Sequence, residues 1–119
     1  MSEARNWALM VAAAGEAATG LALLAAPSLV GRLLLGAEMT GVAVPAARVA
    51  GLALIALAIA CWRNSPLLGM LFYSAAATLY LAWLGLAGGF AGILLWPAVA
   101  VHALLSILLW RSHAKTNST

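Results

Sequence analysis

Charged side chains are scarce in this chain. The sequence has six Lys or Arg and three Asp or Glu residues, so charged residues make up 8% of it, whereas hydrophobic residues make up 66%. An ordinary soluble domain has about 25% charged and about 45–50% apolar residues. A soluble protein of this composition could not cover its surface with polar groups. The composition therefore excludes an ordinary soluble domain and favours an integral membrane protein in contact with lipid.

Residues that would identify an enzyme or a metal site are also scarce. The single cysteine, Cys61, excludes an intrachain disulfide, and the two histidines, His102 and His113, do not have the spacing of metal ligands. The sequence contains no phosphate loop, nucleophile elbow or Cys-x-x-Cys motif. We therefore expect no metal site and no haem, and the pattern leans against an enzyme. The few basic residues are scattered, which argues against nucleic acid as a partner.

Long apolar runs fill most of the sequence. A helix needs about 20 apolar residues to cross a ~30 Å hydrocarbon core. Proline and glycine divide the chain: Pro27 ends the first run, Pro45 begins the second, and Gly88-Gly89 ends the third. The sequence predicts an all-α integral membrane four-helix bundle in a single domain, residues 1–119, with helices at about residues 7–26, 45–62, 67–87 and 91–110.

The segment 28–44 between the first two helices is too long for a tight turn and too short to span. Leu29, Val30, Leu33 and Leu34 have helical spacing, with Arg32 among them. This pattern predicts a short interfacial or re-entrant helix. An ordered hydrophobic loop is the alternative.

Basic residues predict the orientation of the four spans. The N-terminus, the second loop and the C-terminal tail share one side of the membrane, where they place Arg5, Arg63, Arg111 and Lys115. The opposite side has only Arg32 and, inside its helix end, Arg48. Because positive residues favour the cytoplasmic side, both termini are predicted to be cytoplasmic.

Three ionisable residues interrupt the apolar runs: Glu16, Arg48 and His102. An ionisable group in a bilayer costs free energy unless it has a partner or lines a wet cavity, so such groups are functional candidates. At about 1.5 Å per residue, Glu16 and His102 lie at matched depths of about 15 and 16 Å below the outer surface. Two arrangements are open: Glu16 contacts His102 or Arg48, or Arg48 extends outward to the interface instead.

Thr19 shares a helix face with Glu16, and Tyr73 and Tyr80 share a face of the third helix. The predicted ligand-binding set, lining a narrow polar pocket that opens outward, is Glu16, Thr19, Arg48, Tyr73, Tyr80 and His102. The alternative is that these side chains only join helices, through contacts worth about 0.6–2 kcal/mol each.

Several segments resemble one known family. They are residues 20–27 (Gly-Leu-Ala-Leu-Leu-Ala-Ala-Pro), 34–38 (Leu-Leu-Gly-Ala-Glu), 47–51 (Ala-Arg-Val-Ala-Gly) and 95–102 (Leu-Trp-Pro-Ala-Val-Ala-Val-His). They are similar to segments of small bacterial four-helix membrane proteins of the DoxX-like kind. The resemblance implies a compact four-helix bundle in the bacterial inner membrane, and some members of that grouping are associated with quinol oxidases. It therefore makes a quinone a ligand to consider.

Three functions are compatible with these observations. The first is a small inner-membrane protein that binds a lipid-like or quinone-like ligand or, alternatively, acts as an accessory subunit of a larger membrane complex or forms a homo-oligomer. The second is a minimal oligomeric transporter or channel in which Glu16 couples to protons. The third is a small intramembrane enzyme that uses Glu16 or His102 as an acid or base.

Overall fold

The structure, a computed structural model, describes residues 3–117 and the side chains of residues 7–116. It is all-α, with four helices that are long and apolar enough to cross a membrane: Trp7–Ala25, Ala43–Trp62, Pro66–Gly88 and Leu95–Thr116. The predicted fold class is therefore confirmed. The α-helices are α1 (Glu3–Ala25), α2 (Pro27–Val30), α3 (Ala43–Trp62), α4 (Pro66–Trp83) and α5 (Leu95–Asn117), and π-helical segments follow α2 (Gly31–Leu35) and α4 (Leu84–Gly88).

The chain divides into two compact units, one ending at Ser65 and the other beginning at Pro66. In the first unit α1 and α3 pack as an antiparallel pair. Gly20 of α1 lies against Gly51 and Ile55 of α3. Leu24, one turn later in α1, lies against Gly51 and Arg48, which come earlier in α3. The two helices therefore run in opposite directions.

Two glycines allow the backbones of α1 and α3 to come close. A Cβ atom on Gly20 would lie 2.7 Å from the carbonyl oxygen of Gly51, and a Cβ on Gly51 would lie 2.6 Å from the carbonyl oxygen of Gly20. No side chain fits in that space. Small residues at membrane helix crossings have this role because lipid gives no hydrophobic drive to helix association, and close packing must supply it.

The predicted segment between the first two spans is a short helical element. It comprises α2 and the π-helical turn, which ends at Gly36 in a left-handed conformation (φ 80°). The hydroxyl of Ser28 donates to the carbonyl oxygen of Met39 (3.0 Å), and Arg32 Nε lies 3.7 Å from Glu38 Oε1. These contacts close the segment on itself while its leucines, at positions 29, 33, 34 and 35, are exposed, as an element that contacts lipid would require.

In the second unit α4 and α5 form another antiparallel pair. Tyr73 contacts His102, and a Cβ on Gly85 would lie 2.7 Å from the indole of Trp96. The π-helical turn after α4 ends where Gly89 takes a left-handed conformation (φ 75°).

The last helix differs from its predicted bounds. It begins at Leu95 instead of about residue 91 and continues to Asn117 instead of ending at about residue 110. Pro97 explains the start, because proline is tolerated in the first turn, where its missing N–H would have no helical partner. The helix also ends later than predicted. The prediction placed its end where the apolar residues stop, but good helix formers such as Ala114 and Lys115 continue the helix beyond that point.

Candidate functional site

The predicted site residues are divided between the two units. Glu16, Thr19 and Arg48 belong to the first, and Tyr73, Tyr80 and His102 to the second. The contact between Glu16 and His102, which lie in different units, therefore stays a prediction.

Arg48 reaches the end of α1. Its Nε–H donates to the carbonyl oxygen of Leu24 at 3.2 Å. Leu24 lies in the last turn of α1, where carbonyl groups have no partner within the helix and the helix dipole favours a cation. Glu16 lies eight residues earlier, about 12 Å along the axis. The structure thus joins Arg48 to the end of α1, not to the Glu16 carboxylate.

Glu16 is half-buried. Its carboxylate has no hydrogen bond or ion pair within residues 7–116. Thr19, one turn further along α1, is exposed, and its hydroxyl donates to the carbonyl oxygen of Gly15 (2.9 Å). The hydroxyl is satisfied inside its own helix, so Thr19 is not joined to Glu16.

His102 and Tyr73 are brought together. Their ring centroids are 5.9 Å apart with an interplanar angle of 69°, an edge-to-face arrangement. His102 Nδ1 lies 2.7 Å from the carbonyl oxygen of Ala98, one turn earlier in α5. A carbonyl oxygen only accepts, so the Nδ1–H donates, and Nε2 of the neutral ring then carries a lone pair. Both side chains are half-buried.

Two hydroxyl groups of α4 have no hydrogen-bond partner within the described residues. The hydroxyl oxygens of Tyr80 and Ser74 are buried and have no hydrogen bond in the described part of the chain. Tyr80 lies two turns from Tyr73 on the same face of α4, and its ring stacks on Trp83. Buried polar groups are nearly always paired, so these two hydroxyl groups are exceptions within the second unit.

Ser74 was not among the predicted site residues. It is 1% exposed, but serine is common in membrane helices, where it usually bonds to its own backbone. Thr78 and Ser106 do so, to the carbonyl oxygens of Ser74 and His102 respectively. Sequence gives no signal that separates Ser74 from them.

No group of three His, Cys, Asp or Glu side chains that could hold a metal ion occurs within the residues that the structure describes. Comparison with family models, with curated proteins and with solved structures finds no match to this chain. The resemblance to DoxX-like proteins therefore stays a prediction, and any function must be argued from the side chains themselves.

Proposed function

We propose that this chain is a small multi-pass protein of the bacterial inner membrane, with cytoplasmic termini, that binds a lipid-like or quinone-like ligand against His102 and Tyr73. The observation that carries the proposal is the 2.7 Å hydrogen bond from His102 Nδ1 to the Ala98 carbonyl oxygen. In a neutral imidazole this bond selects the tautomer with the proton on Nδ1 and leaves Nε2 as an acceptor, on a helix of membrane-spanning length and composition.

The donor and acceptor pattern favours one kind of ligand head. A bare Nε2 accepts a hydrogen bond but cannot donate one, while the Tyr73 hydroxyl can do either. A ring that carries a hydroxyl group, as a quinol does, can donate to Nε2 and contact Tyr73 with the same polar end. An apolar tail would then lie along the hydrophobic helices.

Tyr73→Phe is expected to weaken binding of a short-chain ubiquinol about 2–10-fold, because it removes one hydrogen bond worth about 0.5–1.5 kcal/mol. The measurement is a titration of the purified protein in detergent, followed by tryptophan fluorescence, with native mass spectrometry to detect any lipid or quinone that co-purifies. The edge-to-face ring contact is retained in the variant, so the change reports on the hydroxyl group.

Thr78→Ala is the matched control for this measurement. Thr78 is also a hydroxyl residue of α4, but its hydroxyl donates to the carbonyl oxygen of Ser74 within the same helix at 2.7 Å. Ubiquinol affinity should be unchanged in this variant. Absence of ubiquinol binding by the wild-type protein, or equal losses in the two variants, would refute a site at Tyr73.

One observation favours a second function, proton-coupled transport by an oligomer. Glu16 is half-buried in a helix of spanning length and has no hydrogen bond or ion pair within residues 7–116. A carboxyl group without a fixed partner can gain and lose a proton while a substrate passes, whereas one held in an ion pair cannot do so freely.

Under this second function, Glu16→Gln should abolish a flux that a pH gradient drives in proteoliposomes. Glutamine keeps the size and polarity of the side chain but cannot exchange a proton. The flux is read with a pH-sensitive dye inside the vesicles, and Thr19→Val on the neighbouring turn serves as a control that should retain it. Equal fluxes in wild type and Glu16→Gln would exclude proton coupling through this residue.

A further inference from the structure

A groove of about 530 Å³ lies between α1 and α3, at the end of the pair where α3 finishes. Its lining comes from both helices and is apolar except for Arg63. From α1 it includes Ala13, Ala14 and Ala17, and from α3 and the following turn it includes Ile55, Trp62 and Arg63. The volume is within the roughly 300–1,000 Å³ of small-molecule sites.

Small side chains create this space. Ala13 is 3% exposed and Ala58, which also lines the groove, is 6% exposed, so they form its floor. The two helices cross most closely at Gly20 and Gly51 and continue past that point with alanines on α1. Larger residues there would fill the gap between the diverging helices.

The polar end of the groove has residues that are typical of a membrane interface. Trp62 is the last residue of α3 and is 55% exposed, and Arg63 follows it. Tryptophan is enriched at the level of the lipid headgroups. From Arg63 to Ile55 the groove descends about 12 Å along the helix axis, from headgroup level into the hydrocarbon region.

The shape and charge together select an occupant. An open apolar groove that descends from the interface fits the first part of an acyl chain, and the guanidinium at its mouth matches a phosphate in geometry and charge. We infer that this groove binds one anionic phospholipid, with its phosphate on Arg63 and one acyl chain between α1 and α3. The site uses residues of the first unit only and does not depend on ligand binding at His102.

The test is native mass spectrometry of the purified full chain in detergent, titrated in parallel with phosphatidylglycerol and phosphatidylcholine. The wild type is expected to bind one phosphatidylglycerol at least fivefold more tightly than phosphatidylcholine. Arg63→Gln should weaken phosphatidylglycerol binding more than phosphatidylcholine binding and so remove the preference, because the choline cation of phosphatidylcholine already offsets the charge of its phosphate. Ala14→Leu should weaken both lipids, because Ala14 lines the groove but is exposed, so a larger side chain there blocks the chain without disturbing the helix pair.

Two variants control for general effects. Arg111→Gln removes another exposed cation from the chain, and Ala12→Leu adds a leucine to α1 at an exposed position that does not line the groove. Both should bind phosphatidylglycerol as the wild type does. The inference is overturned if the wild type does not distinguish the two lipids, or if Arg111→Gln lowers the preference as much as Arg63→Gln. It is also overturned if Ala14→Leu breaks a dimer while lipid binding is unchanged, since the occupant would then be a second copy of the chain.

Discussion

Replacing either Gly20 or Gly51 with alanine is expected to destabilise the α1–α3 pair by about 1–3 kcal/mol, the usual cost of adding a methyl group where a packed interior has no space. The added Cβ would lie 2.7 Å or 2.6 Å from a backbone carbonyl oxygen of the opposite helix. Backbone cannot rotate away as a flexible side chain can, so the helices must separate. The Arg48–Leu24 hydrogen bond, one turn from the crossing, should lengthen as they do.

Gly15→Ala is the control for these variants. Gly15 also lies in α1, but a Cβ there would meet nothing within 4 Å. Alanine is the better helix former by about 0.8–1.0 kcal/mol, so this variant should be as stable as the wild type or more stable. Chemical unfolding in mixed micelles, followed by far-ultraviolet circular dichroism, measures all three. Equal stability of the three variants would show that the crossing is not as close as the structure has it.

The four spans could be predicted from the sequence because length and apolarity are what a bilayer requires of a helix. The pairing of α1 with α3 through Gly20 and Gly51 could not. Both glycines begin the same four residues, Gly-Leu-Ala-Leu, at positions 20–23 and 51–54, but apart from a few polar residues such as Glu16 and Arg48 these helices are apolar on all sides. The pattern therefore gives no contrast between the face that packs and the face that contacts lipid.

The sequence indicated which residues belong to the candidate site, but it indicated only in part which groups those residues contact. The cost of burying polar groups identified Arg48 and His102 as residues that need a partner. Arg48 hydrogen-bonds to the backbone carbonyl of Leu24, and His102 to that of Ala98. Every residue has a backbone carbonyl, so the sequence does not indicate which one accepts the hydrogen bond. The contact of Tyr73 with His102 depends on the register of α4 against α5, which apolar helices do not specify in sequence.

His102→Leu is expected to lower ubiquinol affinity by about 5–140-fold, a larger effect than that of Tyr73→Phe. Leucine fills a similar space but has no lone pair, so the ligand hydroxyl would enter an apolar site unpaired. An unsatisfied buried hydroxyl costs about 1–3 kcal/mol, and each 1.4 kcal/mol corresponds to about a tenfold change in affinity.

The tautomer predicts which substitution rescues binding. Glutamine places an amide oxygen near the position of Nε2, whereas asparagine places its polar atoms nearer to Nδ1. His102→Gln should therefore retain more affinity for ubiquinol than His102→Asn. The reduced ligand should also bind more tightly than the oxidised quinone, because quinone carbonyls cannot donate to Nε2.

Ser106→Ala is the matched control on α5. Its hydroxyl donates to the backbone carbonyl of His102 at 2.7 Å, so the variant changes a neighbour of the histidine without touching its ring. Titration by tryptophan fluorescence, with thermal unfolding to show that each variant is folded, gives the comparison. If Ser106→Ala loses as much affinity as His102→Leu, the loss reports on helix packing. If His102→Gln and His102→Asn bind ubiquinol equally well, the Nε2 lone pair is not the acceptor, because only a site that depends on Nε2 distinguishes the two amides.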